Sequence, residues 1–137
     1  MTDGLRVLLV EDDEELRRLL RELLGRVHAL VVEAASGSSL LHALAADGPF
    51  DLVVTDIRMP PPDGLRSLSL ARAVGIDTPF LVLTAFGDGE TRARVAELGR
   101  SEQLDKPFDG DEFLRRVRRL VRLPADTPTD LAKRAAG

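Results

Sequence analysis

Five short apolar runs recur along the chain, and a segment of helical character follows each one. The runs are LRVLLV (5–10), ALVVEA (29–34), FDLVVTD (50–56), PFLVLT (79–84) and a weaker EQLD (102–105). The third and fourth are apolar at consecutive positions, as strands covered on both faces are. Five strands alternating with five helices specify an α/β domain built on a parallel, doubly wound sheet.

The intervening segments carry helix signals of their own. In 14–25, Leu16, Leu19, Leu20, Leu23 and Leu24 recur at helical spacing and Gly25 is the expected stop. Helices are also expected at 38–47, before the Gly48-Pro49 break, at 64–74, and at 89–99, ending on Gly99. The last helix opens on Asp109 and Glu112, spaced as a capping box. Its apolar stripe is Phe113, Leu114, Val117, Leu120 and Val121, and its arginines gather toward the negative end of the helix dipole. Residues 1–123 are thereby expected to form one domain. The Pro/Thr/Ala-rich PADTPTDLAKRAAG (124–137) reads as a flexible tail or a truncated linker.

Composition removes several function classes. A net charge of -4 argues against bulk attraction to nucleic acid or anionic membrane, so neither is an expected partner of this chain alone. Without cysteine there are no disulfides, Cys–zinc sites or thiol nucleophiles. The N-terminus lacks the order of a signal peptide and no run is long enough to span a bilayer, which fits a cytoplasmic location. The arginine run 115–122 reads as a solvated helix face, since no second reading element accompanies it. His28 and His42 stand apart from any acid or nucleophile in sequence and read as surface or capping residues.

The residues at the carboxyl ends of the strands carry the chemistry. They are Glu11, Asp12 and Asp13 after the first strand, Asp56 after the third, Thr84 after the fourth and Lys106 after the fifth. Ligands of open α/β sheets bind at those ends, where strand order reverses. With the order 2-1-3-4-5, Glu11, Asp12 and Asp56 converge, and their mutual repulsion calls for a cation. Hard oxygen ligands in an open cleft suit Mg²⁺ that keeps several waters. A lysine and a hydroxyl beside them would hold phosphoryl oxygens while Asp56 attacks phosphorus, giving an aspartyl phosphate. Taken singly, Asp13 reads best as a helix cap, Thr84 as a strand end and Lys106 as a surface ion pair. Their joint placement on one edge of the sheet favours the chemical reading.

VLLVEDDEELRRLL, DLVVTDIRMPPPDGL, LVLTAFGDGE and LDKPFDGDEFLRRV, in that order, resemble the signature blocks of the receiver domain of two-component response regulators. The resemblance spans residues 5–123. It implies a flavodoxin-like five-stranded sheet of order 2-1-3-4-5, and a signalling switch rather than an enzyme. Asp56 would accept a phosphoryl group from a sensor histidine kinase or a histidine phosphotransfer protein. It further implies Glu11, Asp12, Asp56 and the backbone carbonyl of Arg58 as the Mg²⁺ site, with Asp12 a direct ligand and Glu11 acting mainly through water. Thr84 and Lys106 would hold the phosphoryl oxygens, Ala85 is the small residue beside them, and Lys106-Pro107 is expected to be cis. A homodimer is compatible with the resemblance.

Three departures stand out. Pro61 and Pro62 stiffen the loop after Pro60, Arg58 and Phe86 occupy positions that tune the lifetime of the acyl phosphate, and Gln103 stands where the family usually has Tyr or Phe. Output is therefore expected to run through loop 85–90 or direct partner contacts. Rival readings fare worse. A phosphohydrolase similar to the haloacid dehalogenases needs a second Asp two residues after the nucleophile, where Arg58 stands. A flavodoxin-like cofactor binder would not place EDDEE at its phosphate loop, and no Trp or Tyr is present to stack on a flavin. A phosphorylation-independent interaction scaffold is the runner-up, because of Gln103.

Overall fold

The computed structural model describes residues 4–85 and 89–122. The tail expected at 124–137 and Phe86 lie outside the described residues. Five strands and five helices alternate: β1 (Arg6–Val10), α1 (Glu14–Gly25), β2 (Leu30–Ala34), α2 (Gly37–Ala46), β3 (Leu52–Asp56), α3 (Gly64–Ala73), β4 (Phe80–Thr84), α4 (Gly89–Glu97), β5 (Ser101–Asp105) and α5 (Gly110–Val121). All strand pairs are parallel, in the order β2-β1-β3-β4-β5.

Alternation along each strand builds two cores. Val7 and Leu9 of β1, Leu52 and Val54 of β3, and Leu81 and Leu83 of β4 pack beneath α1 and α5, against Leu20, Leu24, Phe113 and Val117. Leu8 and Val10, Val53, and Phe80 and Val82 face the other way, against Leu40 of α2, Leu68 of α3 and Val95 of α4. β3 and β4 are buried along their whole length, which is why their sequences show no alternation. The helices are not equally anchored. α4 buries only Val95, and its C-terminal side is held by Arg72, whose guanidinium donates to the carbonyls of Leu98 and Gly99 and, on the α3–β4 loop, of Ile76.

Three local expectations are corrected. Leu19 lies at the margin of the α1 stripe and is 48% exposed. Gly25 does not end α1 in a left-handed turn. It is the last helical residue, and the reversal falls on His28 (φ 61°), a residue type that tolerates that region. Asp109 caps α5 by accepting from the Glu112 N–H at 2.7 Å, but the box is only half formed. The Glu112 carboxylate accepts from Arg116 instead, one turn on, where a full guanidinium charge is the stronger donor.

Candidate functional site

The turn from β1 into α1 is built around Glu11. Asp13 is the N-cap of α1, its Oδ1 accepting from the N–H groups of Glu15 and Leu16 at 3.0 and 3.1 Å. The Asp13 N–H in turn donates to Glu11 Oε2 at 3.0 Å. Glu11 is thereby folded under the turn and buried, while Asp12 between them is exposed. The sequence expectation that Asp13 serves the helix and not the pocket agrees with this geometry.

Asp56 ends β3 one strand away and is 7% exposed. Its Oδ1 accepts from the Arg58 N–H at 3.2 Å, so the chain turns immediately after the strand. Two glycines hold this loop. A Cβ at Gly64 would lie 2.3 Å from the Asp56 carbonyl oxygen, and one at Gly37 would lie 1.7 Å from that of Pro62. Neither place has room for a side chain. The N–H groups of Gly37 and Ser38 donate to the carbonyls of Pro60 and Pro61, tying the Pro-rich loop to the start of α2. Sequence reading assigned no role to these glycines; only the approach of α2 and α3 to the loop reveals one.

Lys106 reaches in from the end of β5. Its Nζ donates to Asp56 Oδ2 at 2.8 Å and lies 3.5 Å from Glu11 Oε1. Its backbone N–H donates to the carbonyl of Thr84, itself buried at the end of β4, and the Lys106-Pro107 bond is cis as expected. Ala85, next in the chain, is exposed. Burial works against the charge of Lys106, but the hydrogen bond and charge of Asp56, joined by Glu11, outweigh it and hold its pKa above the usual lysine value. For Glu11 burial prevails: with the nearby charge of Asp56 it raises the carboxyl's pKa, against the Asp13 hydrogen bond and the Lys106 charge.

Glu11, Asp12 and Asp56 each offer an oxygen, and the three lie within 4.8 Å of one another. Clustered acids alone prove little. Glu11 Oε1 is buried and makes no hydrogen bond among the described residues; its charge is met there by the Lys106 ammonium, 3.5 Å away and shared with Asp56. A cation at the cluster would add the closer neutralising contact that two carboxylates sharing one lysine leave open. The donor set, all hard oxygens and open on the Asp12 side, fits a small divalent cation that retains water.

A profile of the response regulator receiver domain matches residues 7–118. The chain belongs to the response regulator receiver domain family. This receiver is 39% identical over 131 residues to the response regulator MprA of Mycolicibacterium vanbaalenii, covering 96% of this chain and 55% of that protein. It is 38% identical over 117 residues to the transcriptional regulatory protein CpxR of Escherichia coli K12, covering 85% of this chain and 49% of that one. The chain thus spans about half the length of the curated relatives it matches. Among solved structures, it is similar to the non-phosphorylated HemR receiver domain of Leptospira biflexa (39% identity, TM-score 0.77, covering 88% of this chain and 97% of that one). It is also similar to the receiver domain of Francisella response regulator 1452 (27% identity, TM-score 0.80, covering 87% and 98%). The function of the family is a phosphorylation-dependent switch, and its members typically bind Mg²⁺ at an acidic pocket.

Gln103 lies in this receiver's β5 and is 6% exposed. Its Nε2 donates to Asp105 Oδ1 at 3.1 Å, and Arg92 of α4 donates to the other oxygen of Asp105 at 2.6 Å. Its Oε1 is buried without a partner among the described residues. The amide is therefore buried, half satisfied, and linked through Asp105 to α4. No helix among the described residues is long and apolar enough to cross a membrane.

Proposed function

We propose that this receiver takes a phosphoryl group onto Asp56 from the phosphohistidine of a sensor kinase or histidine phosphotransfer protein. The observation that supports this most is the meeting of Lys106 from β5 with Asp56 from β3, at 2.8 Å, beside Glu11 and Asp12 from β1. A carboxylate oxygen of Asp56 attacks phosphorus in line. The P–N bond to the donor histidine breaks as the P–O bond forms, and the imidazole, protonated on its other ring nitrogen, leaves with the electron pair as the neutral ring. Lys106 then turns its ammonium from Asp56 Oδ2 to a phosphoryl oxygen, and the Thr84 hydroxyl donates to another. Glu11, Asp12, Asp56 and the carbonyl of Arg58 are the residues that would hold Mg²⁺. When bound, it supplies charge to the third phosphoryl oxygen. The chain acts as a phosphoacceptor that assists its own phosphorylation and dephosphorylation. Residues 1–123 are the proposed receiver unit, with 124–137 a tail or linker.

Acetyl phosphate or carbamoyl phosphate with Mg²⁺, followed by intact-mass measurement, tests the assignment. One phosphoryl mass is expected on the wild type and none on Asp56→Asn. An undiminished adduct on Asp56→Asn would place the acceptor elsewhere. Gln103, standing where the family usually has an aromatic, favours a second reading, a receiver-like scaffold that works without phosphorylation, and absence of any adduct on the wild type would support it.

A further inference from the structure

Arg17 lies outside the acidic cluster, yet it grips the backbone that carries it. Its Nη1 donates to the Glu11 carbonyl oxygen at 2.7 Å, and its Nε stands 3.1 Å from Glu33 Oε1 at the end of β2. The gripped carbonyl belongs to the peptide plane joining Glu11 to Asp12. Holding it sets the ψ of Glu11 and the φ of Asp12, while the Asp13 N–H holds the other end of Glu11. We infer that Arg17 is a positioning residue that preorganises the Glu11–Asp12 turn for a divalent cation, with Glu33 as its anchor. This rests on the functional reading above.

Geometry and charge give opposite signs for the loss of Arg17. Seen only as a cation near three carboxylates, Arg17 weakens metal binding, and its removal tightens it. As a support for the turn it strengthens binding, and its removal weakens it. The contact with Glu33 offsets much of its charge, so the geometric effect is expected to dominate. Arg21 provides the control. It pairs with the same carboxylate, Glu33 Oε2, from the next turn of α1, but among the described residues the hydrogen bond to the Glu11 carbonyl comes from Arg17.

The test is Mg²⁺ affinity of the unphosphorylated protein by isothermal titration calorimetry, with thermal melts of the metal-free proteins alongside. Arg17→Met is expected to weaken binding about tenfold, the lower end of what loss of a residue supporting metal ligands costs. Arg17→Lys, which keeps the charge but not the two-sided grip, is expected to weaken it in the same direction, and Arg21→Met to leave it unchanged. Phosphorylation of Arg17→Met by acetyl phosphate should recover at saturating Mg²⁺. Unchanged or tighter binding in folded Arg17→Met overturns the inference alone, as does equal weakening in Arg21→Met. A wild type that neither binds Mg²⁺ nor takes a phosphoryl group overturns the functional reading as well.

Discussion

At the scale of single residues, polar groups in this receiver are buried for two different reasons. Glu11 is held down by the cap of α1, and its Oε1, with the Lys106 ammonium 3.5 Å away and no hydrogen bond among the described residues, belongs to a cluster that a cation would complete. Gln103 is orphaned without such a prospect: Nε2 reaches Asp105, and Oε1 reaches nothing among the described residues. An aromatic ring at that position would bury area without an unmet acceptor; the amide carries the desolvation cost instead. Gln103→Leu should therefore stabilise the fold by about 1 kcal/mol, read as a higher urea midpoint at unchanged slope. Asp105 keeps Arg92 in that variant, so little is lost on the other side. A clear drop in midpoint would mean that the Gln103–Asp105 bond outweighs the orphaned oxygen.

At the scale of elements, the β3–α3 loop is set by how closely α2 and α3 approach it. Gly64 opens α3 against the carbonyl of Asp56 itself, so a methyl group there must move either the helix or the strand end. Gly64→Ala is expected to cost about 1–3 kcal/mol, the range for an overpacked site, and to slow phosphorylation by acetyl phosphate. Gly25, the last residue of α1, is the contrasting case, with nothing within 4 Å of a Cβ and no positive φ. Gly25→Ala should stabilise by about 0.5–1 kcal/mol and leave phosphorylation alone. Denaturant melts and phosphorylation rates of the two variants check both halves. Equal behaviour would show that the approach of Gly64 to Asp56 places no demand on the site.

At the scale of the whole molecule, the pH dependence of stability contains opposing contributions. Glu102 of β5 receives Arg116 and Arg119 of α5. Burial pushes its pKa up, but those two arginines outweigh it and the net shift is downward. A lowered carboxyl pKa contributes stability that is fully present above the unfolded value, 4.5, and lost as pH falls through the folded value. Glu11, raised by burial, acts oppositely: its contribution is present below 4.5 and lost as pH rises through its folded pKa. Comparing wild type with Glu102→Gln isolates the first. The wild type should be more stable by about 1 kcal/mol at neutral pH, and the difference should vanish in acid. A difference that stays constant from pH 7 to pH 2 would assign Glu102 a packing role instead.

The class of fold and the meeting of Glu11, Asp12 and Asp56 at one edge of the sheet were legible in the chain because the pattern that carries them is local. Apolar runs, helical spacing and the acids, Thr84 and Lys106 at strand ends are properties of neighbours in sequence, and parallel order then brings the ends together. Helix ends were read less well. The reversal after α1 falls on His28, and the carboxylate of Glu112 turns to Arg116, because each depends on which partner stands nearest after packing. Only the tertiary structure decided that Gly64 and Gly37 lie against carbonyl oxygens, that Gln103 is buried with one oxygen unmet, and that Arg17 reaches back to Glu11. The common reason is range. Sequence records what each residue prefers, whereas a clash, an unmet acceptor or a gripped carbonyl exists only once distant backbone has come within about 3 Å, where hydrogen bonds and steric contacts take effect.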